Sequence, residues 1–245
     1  MNQQLDNLFE IQNNEVYIWI INCNLTKDNI SFLSSFLSDD EILKASKFRF
    51  NKDKNCSVIT RGVLRLLTSK YLKINPEDIK FKYGKFGKPD FDFDTPLKFN
   101  VSHAGDLAVI GFVNNYDIGI DVEYIKGDFD VLEIVDNYFS KQEIKTLNSI
   151  PKTLQTEAFY RGWTRKEAFI KGKSLGLSFP LDSFSISIDS DEKAKLTETL
   201  WDEHEKELWQ IIPFKTEADY KAAVAIKGNI DSVKYFEFNL GLLGS

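Results

Sequence analysis

The stretch Gly119-Ile120-Asp121-Val122-Glu123 is the part of this 245-residue chain that most directly decides the fold. Its apolar residues alternate with two carboxylates, which is typical of a β-strand with one buried face. Successive side chains of a strand point to opposite faces, so Asp121 and Glu123 share a face. Two like charges on one face repel each other unless a cation lies between them or the face is open to water. The stretch therefore predicts either a cation site or an exposed strand edge.

A second stretch, Trp163-Thr164-Arg165-Lys166-Glu167-Ala168-Phe169-Ile170-Lys171, reads as a helix that carries a third carboxylate. Glu167 stands four residues before Lys171, and a surface pair of this kind is common and contributes little to stability. Alternatively, Glu167 joins Asp121 and Glu123 in one site. Three carboxylates beside basic residues suit a hard cation that binds a phosphorylated ligand, which is the chemistry of phosphate or pyrophosphate transfer.

The composition is that of an ordinary globular protein, with 42% hydrophobic and 28% charged residues. No apolar run approaches the length of a membrane span, and the first residues do not have the pattern of a signal peptide. The two cysteines, Cys23 and Cys56, lack metal-ligand spacing and are expected to be free thiols in a reducing cytoplasm. Only His103 and His204 could supply an imidazole, which argues against a zinc enzyme.

The charge is unevenly distributed along the chain. The net charge is -6, yet residues 44–98 contain 14 basic and 6 acidic residues. A basic segment of this kind binds the phosphates of a ligand or of nucleic acid, or it is simply a solvated helix face. Charge alone leaves these possibilities open.

Apolar patterning predicts strands and helices in both halves of the chain. Ser38 followed by Glu41 is typical of a helix start. Strands are expected at 16–21, 97–102, 107–113, 118–123, 184–188, 208–212 and 222–226. Helices are expected at 28–37, 38–50, 56–72, 131–138, 141–148 and 154–171.

This order of elements indicates the α+β class, with two similar α+β lobes in a pseudo-two-fold arrangement on one chain. We expect an N-terminal lobe at 1–115, a C-terminal lobe at 116–228 and a C-terminal tail at 229–245. The connection near Asn114 is short, so the lobes should pack closely. A cleft between them is the natural ligand site.

Two shorter motifs carry polar groups at turns. Phe99-Asn100-Val101-Ser102-His103 ends a strand with a hydroxyl and an imidazole, which could hold a phosphate or form a simple turn. Lys85-Phe86-Gly87-Lys88-Pro89 is a basic loop that lacks the full P-loop pattern, so a P-loop is excluded. A Ser-His hydrolase is a poor interpretation, since no nucleophile elbow is present.

Together and in this order, these motifs resemble the signature of the 4'-phosphopantetheinyl transferases, and most closely the Sfp-like, surfactin-synthetase-activating type. The stretch Gly176-Leu177-Ser178-Phe179-Pro180-Leu181-Asp182 adds to the resemblance, which runs from about Ser38 to about Ala225. The resemblance implies a pseudo-symmetric pair of α+β lobes, in agreement with the two halves read above.

The resemblance also implies an activity. The enzyme would transfer the 4'-phosphopantetheine arm of coenzyme A to a serine of an apo acyl or peptidyl carrier protein, with Mg²⁺, and release adenosine 3',5'-bisphosphate. The carrier could serve nonribosomal peptide, polyketide or fatty acid biosynthesis. A cytoplasmic monomer that binds neither nucleic acid nor membrane is expected.

Roles for individual residues follow from the same resemblance. Asp121, Glu123 and Glu167 would bind Mg²⁺, and Glu167, Asp121 and Lys171 would act in catalysis. The residues that would bind coenzyme A are Lys44, Ser57, Lys88, Pro89, Ser102, His103, Lys166 and Lys171.

Within that set, His103 would meet the 3'-phosphate, and Lys88 and Pro89 would line the adenine and phosphate region. The chain departs from the family in three places, one of which, Ala168 in place of a frequent serine, should matter little. Ser57 lies where the family often has basic residues, so it would offer only a neutral hydrogen bond. Glu41 falls where a second basic residue is sometimes found.

The alternative from another class is a non-catalytic nucleotide or nucleic-acid binding module that uses the basic segment 44–98. It leaves the three carboxylates unexplained.

Overall fold

The structure is a computed structural model that describes residues 7–127, 131–176 and 178–243. The helices are α1 (Lys27–Ser34), α2 (Asp39–Ser46), α3 (Asn51–Leu72), α4 (Leu132–Val135), α5 (Lys141–Ser149), α6 (Lys152–Gly172) and α7 (Glu205–Leu208). The strands are β1 (Glu15–Asn22), β2 (Phe81–Tyr83), β3 (Pro89–Phe91), β4 (Leu97–Ala104), β5 (Leu107–Asn114), β6 (Asp117–Tyr124), β7 (Phe184–Ile186), β8 (Leu196–Thr199), β9 (Trp209–Phe214), β10 (Tyr220–Lys227) and β11 (Ser232–Glu237). Short 3-10 helices lie at Asn7–Phe9, Pro76–Asp78, Leu181–Ser183 and Leu240–Leu243.

Two sheets form the framework. The first has the strand order β11-β1-β5-β4, and the second has the order β6-β10-β9. Strand β11 pairs in parallel with β1, whereas the other neighbours in both sheets are antiparallel. The pairs β2–β3 and β7–β8 form separate two-stranded sheets.

Strand β5 is buried on both faces, which explains its almost unbroken apolar sequence. Ala108, Ile110 and Phe112 pack in the same core as α3. Val109 and Val113 point the other way and pack with residues of β6 and β10. The two sheets therefore meet face to face, and this shared core holds the two halves of the chain together.

The two sheets are also joined by hydrogen bonding. The Asn100 side-chain oxygen on β4 accepts a hydrogen bond from the Ile120 backbone N–H on β6, at 2.8 Å. Asn100 is buried, so this bond satisfies a polar group that could not reach water. It fixes the position of β4 relative to β6, and these strands carry Ser102 and Asp121.

Helix α6 lies directly against β6, and Gly119 makes the close approach possible. A Cβ atom at Gly119 would lie 2.0 Å from the Ala168 carbonyl oxygen and 2.2 Å from the Gly172 nitrogen. Both are backbone atoms, so the clash could not be relieved by turning a side chain. The packing places Glu167 of the helix beside the carboxylates of β6.

The predicted α+β class is confirmed, and the long helices and the strands of both sheets form close to their predicted bounds. The helix predicted at 131–138 is wrong in length: only Leu132–Val135 is helical, and the chain then continues through i→i+3 turns. Patterning did not reveal β2, β3, β8, α7 or β11. Among the described residues, no helix has the length and apolar character needed to cross a bilayer.

The segment 229–245, which the sequence sets apart as a tail, contains β11. This strand completes the sheet of the N-terminal half rather than that of the C-terminal half. The proposed lobe boundaries near residues 115 and 228 stay a prediction.

Glu41 has a structural role that explains why an acidic residue is tolerated there. Its carboxylate accepts a hydrogen bond from the Ser38 N–H at 3.0 Å, as the helix-start motif predicts. It also forms ion pairs with Arg65 at 2.8 Å and Arg61 at 3.1 Å. Glu41 therefore joins α2 to α3 within the N-terminal half.

Replacing Gly119 by alanine should destabilise the protein, because the new methyl group overlaps the backbone of α6. Overpacking of this kind typically costs about 1–3 kcal/mol, and the backbone contact favours the upper end. The measurement is the free energy of unfolding from urea titration. Gly127→Ala is the control, since a Cβ there would meet nothing within 4 Å. Equal stability of the two variants would contradict the proposed close packing.

Candidate active site

Three polar side chains from three elements meet at the centre of the site. The Asp121 Oδ1 atom on β6 accepts a hydrogen bond from the Ser102 hydroxyl on β4 at 2.8 Å, and it forms an ion pair with the Lys171 Nζ atom on α6 at 2.6 Å. Lys171 Nζ also donates to the Ser102 oxygen at 3.0 Å. Asp121 is only 2% exposed, so these contacts compensate a buried charge. The predicted residues Ser102, Asp121 and Lys171 thus lie together.

Glu123 and Glu167 flank this centre. The Trp163 indole N–H donates a hydrogen bond to the Glu123 carboxylate at 3.3 Å. Glu167 is buried and stands one turn before Lys171 on α6. Trp163, Glu167 and Lys171 follow one another at intervals of four residues, so they share one face of the helix.

The site is rich in negative charge. Burial, followed by the charge of Asp121, raises the pKa of Glu123 to about 7 and that of Glu167 to about 7. Burial also raises the pKa of Asp121, against the opposing effects of Lys171 and Ser102. Burial alone would lower the pKa of Lys171, but the charge of Asp121 raises it. One ammonium thus faces three carboxylates.

The donor set suits Mg²⁺, since all three predicted ligands are carboxylates. The second Asp121 oxygen, Oδ2, is buried and has no hydrogen-bond partner in the structure, which leaves one ligand atom free. The arrangement is not a preformed cage: within 7–127, 131–176 and 178–243, no group of three or more His, Cys, Asp or Glu residues is placed to hold a metal ion.

A cavity of about 300 Å³ adjoins the carboxylates. It lies between the loop that precedes β3 and helix α6. Its lining includes Phe86, Lys88, Pro89, Glu167, Lys171 and Gly176. The motif that begins at Gly176 therefore reaches this cavity with its first residue, and Leu177 of the same motif lies outside the described residues.

Lys88 and Pro89 border the cavity, but the Lys88 ammonium is already engaged. Its Nζ atom donates to the Ile118 carbonyl at 2.9 Å and to the Gly172 carbonyl at 3.3 Å. Burial lowers the pKa of Lys88 to about 8. The side chain thus connects the loop to both β6 and α6.

Lys166 does not lie at this site, and the expectation that it contacts phosphates is wrong. Its Nζ atom is fully buried elsewhere, in an ion pair with Glu143 at 2.8 Å. It also donates to the carbonyls of Leu181 and Phe184, both at 2.7 Å. Adjacent residues of a helix point about 100° apart, so Lys166 turns away from the face that carries Glu167.

The remaining predicted residues lie on the N-terminal half. Lys44 is exposed and places its Nζ atom 3.2 Å from the centre of the Tyr83 ring. Ser57 is half-buried on α3. His103 is exposed at the end of β4. No recorded contact joins these three side chains to the cluster of Ser102, Asp121 and Lys171.

Sequence reasoning missed three residues, two that build the site and one that explains why Lys166 is absent from it. Asn100 fixes β4 to β6, Glu143 accounts for the charge of Lys166, and Trp163 orients Glu123. The spacing of four residues from Trp163 to Glu167 was a usable signal, whereas Asn100 and Glu143 carry none in the local sequence.

Comparison with known proteins matches both halves of the chain to one family. Residues 117–225 match the model of the 4'-phosphopantetheinyl transferase superfamily, and residues 23–113 match that of the 4'-phosphopantetheinyl transferase N-terminal region. The transferase HetI of Nostoc sp. is 30% identical over 87% of this chain and 88% of its own length. Sfp of Bacillus subtilis is 33% identical over 81% of this chain and 85% of its own.

A more distant relative comes from an animal. The L-aminoadipate-semialdehyde dehydrogenase-phosphopantetheinyl transferase of Mus musculus is 28% identical over 78% of this chain and 67% of its own length. With family models that together cover most of the sequence and relatives matched along most of their length, the chain belongs to the 4'-phosphopantetheinyl transferase superfamily, and to its Sfp-like type.

Proposed function

We propose that this enzyme transfers the 4'-phosphopantetheine arm of coenzyme A to a serine hydroxyl of an apo acyl or peptidyl carrier protein and releases adenosine 3',5'-bisphosphate. The observation that carries the proposal is the buried Ser102–Asp121–Lys171 cluster with two further carboxylates beside it, in a chain of this family. The alternative of a non-catalytic nucleotide or nucleic-acid binding module gains no support from the comparisons.

Asp121, Glu123 and Glu167 are the proposed Mg²⁺ ligands. The unpartnered Oδ2 atom of Asp121 and the mutual repulsion of the carboxylates favour a divalent cation at this place. When bound, Mg²⁺ would supply positive charge to the pyrophosphate and to the departing phosphate. Trp163 holds the Glu123 carboxylate in place.

Coenzyme A would occupy the cavity beside these carboxylates. The Lys171 side chain is 30% exposed, so its ammonium can reach a phosphate while it remains paired with Asp121. Ser102 could donate its hydroxyl to the same phosphate. Pro89 and the stem of Lys88 form part of the wall.

Lys44, Ser57 and His103 remain proposed contacts for the nucleotide end of coenzyme A on the N-terminal half. The Lys44 ammonium lies over the Tyr83 ring, so binding a phosphate there would require it to leave that ring. Lys166 has no place in the proposal, because its ammonium is fully satisfied in the core.

Glu167 is the proposed acceptor of the serine proton. The carrier oxygen would attack the β-phosphorus, and the bond from that phosphorus to the departing adenosine 3',5'-bisphosphate would break. The proton would pass to Glu167 directly or through one water molecule. Glu167 suits this role because it is a carboxylate on the same helix face as Lys171 and lines the proposed coenzyme A cavity.

The cellular location, the oligomeric state and the absence of further partners are also proposals. We expect a cytoplasmic monomer without nucleic-acid or membrane partners, since one chain supplies both sheets and the whole cluster. Light scattering at assay concentration would contradict this if it showed a stable dimer or trimer.

Incubation with coenzyme A and Mg²⁺ should add the phosphopantetheine mass to at least one apo carrier protein. The measurement is the intact mass of several apo carriers from peptide synthetases, polyketide synthases and fatty acid synthesis. Chelation of divalent cations is the control and should abolish the gain. The proposed function fails if no carrier gains mass under any metal condition.

Removal of one carboxylate should abolish most activity while the fold survives. Asp121→Asn, Glu123→Ala and Glu167→Ala each remove an oxygen donor, and we expect a loss of about 3–4 kcal/mol of transition-state stabilisation, or roughly two to three decades in kcat/KM. Melting temperatures should hold or rise for Glu123→Ala and Glu167→Ala, because these changes relieve repulsion. Asp121→Asn also weakens the ion pair with Lys171 and should lower the melting temperature.

The double variants of this set should lose far less than the sum of the single losses, because residues that act as a unit are not additive. Glu192→Ala is the matched control, since it removes an exposed carboxylate of the same half. Near-normal turnover in Asp121→Asn or Glu167→Ala would contradict the mechanism. So would a loss of activity that is explained by a matching loss of folded protein.

The stability of the metal-free protein should fall as pH rises. The pKa of Glu167 is raised in the folded state from 4.5 to about 7, so its contribution is fully present below pH 4.5 and is lost as pH rises through about 7. A shift of this size corresponds to on the order of 3 kcal/mol. Urea unfolding between pH 5 and 8 should show a smaller fall for Glu167→Gln than for wild type or for Glu192→Gln. If the free energy of unfolding fell equally with pH in wild type and both variants, Glu167 would not be protonated in the folded protein.

A further inference from the structure

The hairpin turn that joins β4 to β5 begins two residues after His103. Its two central residues are Gly105 and Asp106. Gly105 has a φ of +57°, and glycine with a positive φ is typical of the first central position of a type II′ turn. A two-residue turn leaves little freedom between its strands. Its position therefore sets the position of the end of β4, where Ser102 and His103 lie.

Within the N-terminal half, Asp106 holds this turn in place. Its carbonyl accepts a hydrogen bond from the Cys23 N–H at 2.7 Å. Its carboxylate forms an ion pair with Lys52 on α3 at 2.9 Å, but both side chains are exposed, so this pair contributes little. These contacts fix the turn relative to its own half of the chain. They do not fix it relative to the C-terminal half, which carries Asp121.

The side chain of Tyr220, the first residue of β10, reaches the turn from the C-terminal half. Its hydroxyl oxygen accepts a hydrogen bond from the Asp106 N–H at 3.1 Å. A Cβ atom at Gly105 would lie 2.6 Å from the same oxygen. The hydroxyl therefore lies directly against the turn, and the missing side chain of Gly105 makes room for it.

The Tyr220 ring is held firmly. It is 9% exposed and packs in the apolar core between the two sheets. It stands opposite Tyr124 in the register of β10 with β6, and the two ring centroids are 5.1 Å apart in a T-shaped arrangement. This packing uses the ring alone, so a phenylalanine would fill the same space. What the hydroxyl adds is its hydrogen bond to the turn.

This bond lies on the far side of His103 from the other bonds that join β4 to the C-terminal half. Asn100 and Ser102 bond to β6 on the near side. With Tyr220, the segment that carries His103 is tied to the C-terminal half at both ends. The separation between His103 and the carboxylates of β6 then depends on the Tyr220 hydroxyl.

We propose that Tyr220 is a positioning residue for coenzyme A: by holding the turn at Asp106, its hydroxyl places His103 where it can meet the 3'-phosphate. The inference rests on the proposed function, in which His103 contacts that phosphate. The nucleotide end does not change charge during transfer. The contribution of Tyr220 is therefore the same in the ground state and in the transition state, and it should act on KM rather than on kcat.

The test compares Tyr220→Phe with wild type. The KM for coenzyme A should rise by up to about tenfold, the scale of one lost hydrogen bond, while kcat hardly changes. The dissociation constant of coenzyme A, measured by calorimetry without a carrier, should rise by the same factor. With dephospho-coenzyme A, which lacks the 3'-phosphate, the variant and wild type should be equal.

Tyr124→Phe is the matched control. It removes the hydroxyl of the neighbouring ring, for which the structure shows no hydrogen bond within the residues it describes, and it should leave both constants unchanged. Gly105→Ala approaches the same contact from the turn. Its new methyl group would push the turn away from the Tyr220 oxygen, so it should also weaken the binding of coenzyme A.

Equal constants for Tyr220→Phe and wild type, with transfer intact, would overturn the inference and leave the proposed function standing. An equal loss with dephospho-coenzyme A, or a fall in kcat at constant KM, would also overturn it, because either result shows a role other than placing His103. If wild type modifies no carrier but binds coenzyme A, the proposed function fails and the dissociation constants still decide the role of Tyr220. If wild type does not bind coenzyme A, both fail.

Discussion

The backbone contact between β6 and α6 at Gly119 is the constraint on which the active site depends. Asp121 and Glu123 extend from the strand, and Glu167 and Lys171 extend from the helix. They meet only because the helix axis comes close enough for the Ala168 carbonyl and the Gly172 nitrogen to occupy the space of a side chain. Lys88 strengthens the same contact by donating to the carbonyls of Ile118 and Gly172.

This packing forces together groups that repel each other. Three carboxylates face the single ammonium of Lys171, and burial prevents water from screening them. This repulsion lowers the stability of the fold. The apolar core shared by the two sheets and ion pairs elsewhere, such as Lys166 with Glu143, offset that loss. A site of this kind is destabilising by itself, and the proposed cation and phosphorylated ligand would offset the repulsion. The raised pKa values of Glu123 and Glu167 reflect this excess of negative charge in a buried site.

Local sequence predicted those features that follow from strand and helix periodicity. Alternation along β6 placed Asp121 and Glu123 on one face, and the strands and long helices formed near their expected positions. Periodicity could also have identified Trp163, four residues before Glu167. The phosphate contact expected of Lys166 came from the family resemblance and not from a local pattern. The acceptors of Lys166 at Leu181 and Phe184 come from a later segment, whose position no local pattern shows. The same holds for Asn100, whose partner Ile120 belongs to the other sheet.

The parallel pairing of β11 with β1 has a consequence for how the chain is made. Strand β1 comes early in synthesis, but its outer neighbour consists of residues Ser232–Glu237. Until those residues leave the ribosome, the hydrogen-bonding edge of β1 is bare, and Trp19 lacks the stacked ring of Phe236. An uncovered apolar edge is a template for pairing with other chains. The nascent protein therefore carries an aggregation-prone strand until residues Ser232–Glu237 have been made, and closure of the N-terminal sheet must wait for a contact of very high sequence separation.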